Sequence, residues 1–476
     1  YYEGVTQAEA EAYYAAHKDN SPEPMWIGLN SKLVKENCEV VEKTYKVGGM
    51  YGEALAKVVY WLEKALPYAE DDAQREAIEK MIEFNRTGDL KTFNEKDLNS
   101  RVDYINGFTE VYTDPLGITG AWEAMVNFKD LEATKRTSVI SANAQWFEDH
   151  STTDSKYKKE VVRGVSAKVI TVAMLGGDCY PATPIGINLP NANWIRKEYG
   201  SKSVTIDNLM HAYNEAAKGN GFNEEFMIDD NTRRLYEQYG SLCGDLHTDL
   251  HECVGHGSGK LLPGVSKDAL KEHASTIEES RADLFGLYFM ADPKMVELGL
   301  LPNNEAYKAF YYQQMMNGLM TQLVRIEPGK DVEEAHMRNR QLIAQWVYQH
   351  AANKEVEIVE RDGKHYLQIN DYEGLRGLYG QLLAEIQRIT SEGDYAAAKE
   401  IVETYAVKVD QPLHQEILDR YAHLNLAPYK GFVNPVYTPV YDAEGNITDV
   451  KIDYTEGYVE QHLRYSRDYS WLPDVN

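Results

Sequence analysis

Two histidines five positions apart constrain this 476-residue chain more than any other feature. They are His251 and His256 in DLHECVGHGSGK, Asp249 to Lys260, with Glu252 directly after the first. On an ideal helix a separation of four turns about 400°, leaving two side chains about 40° apart on one face. A separation of five splays them by about 140°. The pair can share one metal ion only if the helix absorbs an extra residue, as a single-turn π-bulge does. Gly255, just before the second histidine, offers a place for that irregularity. His247 is a rival, since His247 and His251 are four apart and need no distortion, but Thr248 rather than an acid follows it. Spacing alone leaves both pairings open.

The downstream sequence decides between them. ASTIEESRADLFGLYFM has a strong helical pattern, and it puts Glu279 and Asp283 four apart on one face. A site with two histidines wants a third protein ligand and an open position for water. ESRAD is similar in spacing to the second helix of thermolysin-type metallopeptidases, where a ligand glutamate precedes an aspartate by four. Such an aspartate accepts the second N–H of a ligand histidine, fixing its tautomer and raising its basicity. Glu278 can do the same for the other histidine. The expectation is one Zn2+ per chain on His251, His256 and Glu279, backed by Glu278 and Asp283. Cys253 reads as a small buried hydrophobe. GHGSGK lacks the glycine spacing of a phosphate loop, and Leu261 stands where Ser or Thr would hold Mg2+.

Composition bounds the rest. Hydrophobic residues make up 43% and charged residues 26%, the profile of a soluble globular chain with ample core. The length suits two or three domains, or one large two-lobed body. A net charge of −26 repels phosphate backbones, so nucleic acid is not an expected partner. No apolar run reaches eighteen residues, so no membrane-spanning helix is expected. Cys38, Cys179, Cys243 and Cys253 form no CxxC pair, which fits a reducing compartment. The chain starts at Tyr1 without a signal-like stretch and reads as a truncated or processed piece.

Residues 1–100 read mostly as helices, among them GMYGEALAKVVYWLEKALPYA and DDAQREAIEKMIEF. YINGFTEVYTDPLGITG has strand-and-turn chemistry, and AWEAMVNFKDLEATKRTSVISANAQWFED returns to a helical pattern. SAKVITVAMLGGDCYPATPIGINLPNANW predicts one or two strands with an exposed, turn-laden end. From about 205 to 425 the pattern is helical. VNPVYTPVYDAEGNITDVKIDY predicts a hairpin turning at AEGN.

HECVGH followed by EESRAD resembles the dipeptidyl peptidase III family, whose signature is His-Glu-x-x-Gly-His with Glu-Glu-Cys-Arg-Ala-Glu or -Asp downstream. Ser280 stands in place of the family's Cys. GFTEVYTDPLG, PIGINLPN, AHMRNRQLIAQWV and, more weakly, HLRYSRDYSWLP extend the resemblance along the chain, whereas the family's N-terminal part has no counterpart. The resemblance implies an α+β fold of two lobes with a wide cleft. A mostly helical upper lobe would carry the zinc, and a mixed lower lobe would hold partial β-barrel strands. Residues 1–130 are then expected in the lower lobe, mainly helical, and 131–170 in the upper. Residues 171–215 would return to the lower lobe as strands with a substrate-binding edge. Residues 216–476 would complete the upper lobe, including the zinc site and the hairpin.

The same resemblance implies a zinc-dependent dipeptidyl-peptidase that releases dipeptides from the unblocked N-terminus of oligopeptides. Glu252 would be the general base. Tyr112 and His336 would donate to the scissile carbonyl oxygen. Glu110 would receive the substrate ammonium, helped by Asn188 and Asn191 on an edge where a peptide can add as a strand. Arg340 and Arg464 would grip peptide carbonyls or a C-terminus. A cytoplasmic address is expected. Two other readings stay open: a zinc endopeptidase of thermolysin type, and a non-catalytic zinc-containing peptide-binding protein.

Overall fold

The computed structural model describes residues 1–21, 24–93, 100–111, 113–162, 168–180, 186–189, 202–266, 269–424, 426 and 431–472. The chain divides into two compact units. One comprises Tyr1–Asp130, Lys168–Leu209 and Pro428–Asn476; the other comprises Leu131–Ala167 and Met210–Ala427. The architecture is mixed α+β. Among the described residues no sheet closes into a barrel.

The first unit is built on a five-stranded sheet in the order Val102–Glu110, Ala121–Lys129, Lys168–Gly177, Lys202–Ile206, Gly186–Leu189. The predicted strands around VITVAML and GINL are present. Ala121–Lys129, expected to be helical, is instead a strand paired on both edges, with Phe108 opposite Trp122 and Met125 opposite Leu175. Its alanines, glutamate and methionine favour helix in isolation, and ladders on both sides override that preference. Residues 1–100 likewise hold strands between their helices: Tyr2–Glu3, Ser31–Glu36 and Glu39–Thr44 form a small sheet.

The C-terminal hairpin forms as predicted, Val436–Tyr441 against Ile447–Asp453, with Gly445 at φ +86° in its turn. Its place in the molecule differs from the expectation that residues 216–476 make one lobe. Two buried amides explain why. Asn434 accepts from the Leu175 N–H at 2.8 Å and donates to the Leu175 carbonyl at 2.9 Å. Gln461 then accepts from the Asn434 N–H at 2.9 Å and donates to its carbonyl at 2.8 Å. These pairs sew the C-terminal segment onto the strand Lys168–Gly177, within the first unit.

The second unit is helical, apart from an unpredicted hairpin, Val356–Arg361 with Lys364–Ile369. Its centre is the helix Ala274–Met290, buried along most of its length. The helices Asp230–Leu250, Ala335–His350 and Tyr372–Glu392 all pack against it. A helix enclosed in this way can carry polar side chains only if each finds a partner. Ser280, Arg281 and Asp283 are such side chains: Ser280 bonds the Thr276 carbonyl of its own helix, while Arg281 and Asp283 help build the site.

Candidate metal centre

The helix Asp230–Leu250 starts at Asp229, whose carboxylate caps the Thr232 N–H at 2.8 Å. It runs directly into a π-turn, His251–Gly255, closed by a bond from the His256 N–H to the His251 carbonyl at 3.0 Å. The turn absorbs the extra residue, as the spacing demanded, and the two imidazole centroids stand 4.6 Å apart. One ligand atom each of His251, Glu252 and His256 falls within a 4.8 Å group.

Each ring is held from behind. His251 Nδ1 lies 2.7 Å from Asp283 Oδ1, and His256 Nδ1 lies 2.8 Å from Glu278 Oε1. A carboxylate only accepts, so each Nδ1 carries the proton and each Nε2 faces forward. There Glu279 Oε2 sits 3.3 Å from His251 Nε2 and 4.0 Å from His256 Nε2. That oxygen is buried without a hydrogen-bond partner. Two imidazole nitrogens and one orphaned carboxylate oxygen converging in this way fit a cation bound by nitrogen and oxygen ligands, with room for a fourth.

The electrostatics agree. Burial lowers the affinity of His251 for a proton, but the Asp283 hydrogen bond and the nearby Glu279 carboxylate overcome it and hold the imidazole up at about 10. Burial raises Glu278, and His256 and Arg281 reverse this, bringing it to about 2. Asp283 is driven up by burial and yet held well below the usual carboxylate range by His251, His247 and Arg340. The pocket of acids calls for positive charge at the point where the Nε2 atoms meet.

His247, the rival ligand, is engaged elsewhere. It is buried, stacks on Phe310 at 4.6 Å, and directs Nε2 to the Asp283 carbonyl oxygen at 3.3 Å. Cys253 is buried in the apolar core. His336, in the first turn of Ala335–His350, brings Nε2 to 3.8 Å from Glu279 Oε2 while Nδ1 meets Glu334 at 2.8 Å. Arg340 is half-buried on the same helix and has no hydrogen bond or ion pair among the described residues.

The remaining candidates belong to the first unit. Glu110 ends the strand Val102–Glu110, and Asn188 lies in Gly186–Leu189 opposite Ser203. Arg464 is taken up by a fork onto Glu456 at 2.6 and 2.7 Å. Tyr112 and Asn191 lie outside the described residues. Sequence reasoning missed Asn339, whose Nδ2 donates to Asp283 Oδ2 at 2.7 Å, and Arg281, only 3% exposed. Arg281 sits in a run of charges that gives no sign of its burial, and nothing in the sequence marked Asn339.

Residues 29–272 and 265–433 match the family model described as peptidase family M49. The chain belongs to peptidase family M49. Proteins of the M49 family are metallopeptidases, in keeping with the His and Glu cluster. Among curated relatives, dipeptidyl peptidase 3 of Dictyostelium discoideum is 26% identical over 355 residues, 63% of this chain and 49% of that protein. The human dipeptidyl peptidase 3 is 26% identical over 413 residues, 76% of this chain and 55% of that protein. The chain thus spans about half the length of the curated relatives it matches. The solved structure of DPP III from Caldithrix abyssi shares the fold, with a TM-score of 0.72 at 22% identity, over 90% of this chain and 78% of that one.

Proposed function

We propose that this M49 chain is a zinc-dependent dipeptidyl-peptidase acting on the free N-terminus of oligopeptides. The observation that carries the proposal is the convergence of His251 Nε2, His256 Nε2 and the partnerless Glu279 Oε2, with both Nδ1 atoms tied to carboxylates. His251, His256 and Glu279 would hold the ion. Zinc bound there supplies a Lewis acid that polarises a carbonyl and makes a water acidic near neutral pH.

Glu252 stands beside both histidines in the π-turn, within reach of an attacking water. It takes the water's proton and returns it to the leaving amine. His336 has its Nδ1–H held by Glu334 while Nε2 faces the same space, so it can donate to the carbonyl oxygen as that atom gains charge only as the doubly protonated ring. Arg340, half-buried and making no hydrogen bond among the described residues, suits a peptide carbonyl or a terminal carboxylate. Tyr112, Glu110, Asn188, Asn191 and Arg464 are assigned to the substrate on the strength of the family resemblance.

The test pairs a free peptide with its N-acetylated form. Dipeptide release from the free peptide alone, abolished by a chelator and by Glu252→Gln, supports the reading. Cleavage of the acetylated peptide at an internal bond favours an endopeptidase, and tight peptide binding without any hydrolysis favours a binding protein.

A further inference from the structure

At the end of the π-turn the carbonyls of residues 255 to 258 face two cations, buried Arg281 and half-buried Lys159, with the Gly255 carbonyl also accepting from the Ser258 N–H and hydroxyl. Arg281 Nη1 donates to the carbonyls of Gly255 at 2.8 Å and Ser258 at 2.9 Å, and to Ser258 Oγ at 2.6 Å. Its Nη2 donates to the His256 carbonyl at 3.1 Å. Lys159 donates to the Gly257 carbonyl. Cations at a helix C-terminus also oppose the negative end of its dipole.

The same guanidinium reaches forward. Its Nη2 and Nε bond Glu278 at 2.6 and 3.0 Å, the carboxylate that holds His256 Nδ1. One side chain therefore grips both the backbone that carries His256 and the acid that aims its ring. Across the site, Asp283 aims His251 at 2.7 Å and takes the Asn339 amide on its second oxygen at 2.7 Å.

We infer that Arg281 is a positioning residue for the metal centre: it fixes the ring of His256 through Glu278 and through the carbonyls of residues 255, 256 and 258. This rests on the metal site proposed above. The test is metal affinity, measured by competition with a chromogenic chelator, together with the visible spectrum of the Co2+-loaded protein. Arg281→Lys keeps the charge and loses the fork. In folded protein it is expected to bind Zn2+ about 10–100-fold more weakly, as loss of a ligand's supporting contact does, with a shifted Co2+ spectrum. Ser258→Ala removes one acceptor without burying a charge, and is expected to weaken binding by about fivefold, in line with one hydrogen bond.

Folded Arg281→Lys with wild-type affinity and spectrum overturns the inference. If that variant does not fold, Ser258→Ala with unchanged affinity does so. Wild-type protein that takes up no metal overturns the proposed function and this inference with it. Metal-binding wild type alongside equally tight variants overturns this inference alone.

Discussion

Gly255 and Ala282 meet backbone to backbone: a Cβ on Gly255 would lie 2.9 Å from the Ala282 carbonyl oxygen and 3.0 Å from its Cα. The glycine of HECVGH is thus required by the approach of two helices, since a main-chain neighbour cannot swing aside. Gly255→Ala is expected to cost about 1–3 kcal/mol, the usual penalty of overpacking a tight contact. Because Ala282 sits between Glu279 and Asp283, the strain also pushes these acids away from the histidines. Urea unfolding and a metal titration on the same variant check this; unchanged stability would show that the helices part freely.

Asn339 supports the centre from a third helix. Replacing it by leucine keeps the volume, but Asp283 Oδ2 loses its donor and His251 its rigid support. Metal affinity should fall about 10–100-fold, as it does when outer partners of ligand histidines are removed. Isothermal titration reads the change, and wild-type affinity would rule out the amide as a support.

Metal loading should stabilise the fold. An ion that binds only the native protein adds about 2.7 kcal/mol at a hundred times its dissociation constant. A chelator should accordingly lower the Tm, and restoring zinc should recover it. Glu279→Ala, which removes the partnerless oxygen, should abolish the difference between the two melts. A variant that keeps the full shift would place the third ligand elsewhere, with Glu252 the next candidate.

Acid sensitivity has a source far from the metal. Glu225 accepts from Lys364 at 2.9 Å and from Arg420 at 2.7 Å. Burial raises its carboxyl, but these two cations prevail and hold it below its ordinary value of 4.5. Stability from a depressed carboxyl is complete above the unfolded value and is lost as pH falls through the folded one. Glu225→Gln should flatten the drop in urea midpoint between about pH 5 and pH 3. An unchanged slope would move the effect to other acids.

The π-turn could be read from the sequence because helical geometry leaves two histidines five apart no other way to share an ion. The partner helix could be read for the same reason, with its acids at a spacing of four. What could not be read depends on distant pairing. AWEAMVNF favours helix until the strands Val102–Glu110 and Lys168–Gly177 flank it. Arg281 hides in EESRAD, since a run of charges looks like a solvated face until the helix is seen to be enclosed. The second unit's hairpin at 356–369 was lost within a long helical stretch, its strands being only six residues each. His336 and Arg340 drew notice through family resemblance alone, because a histidine and an arginine on a helix carry no signal of their own.

The amides of Asn434 and Gln461 have a consequence for the order of assembly. During synthesis the helical unit, Leu131–Ala167 with Met210–Ala427, is fully translated before either amide leaves the ribosome. The strand Lys168–Gly177 must wait, its Leu175 peptide groups unclaimed, until more than two hundred and fifty further residues have emerged. The unit that carries the five-stranded sheet is therefore completed after the helical one.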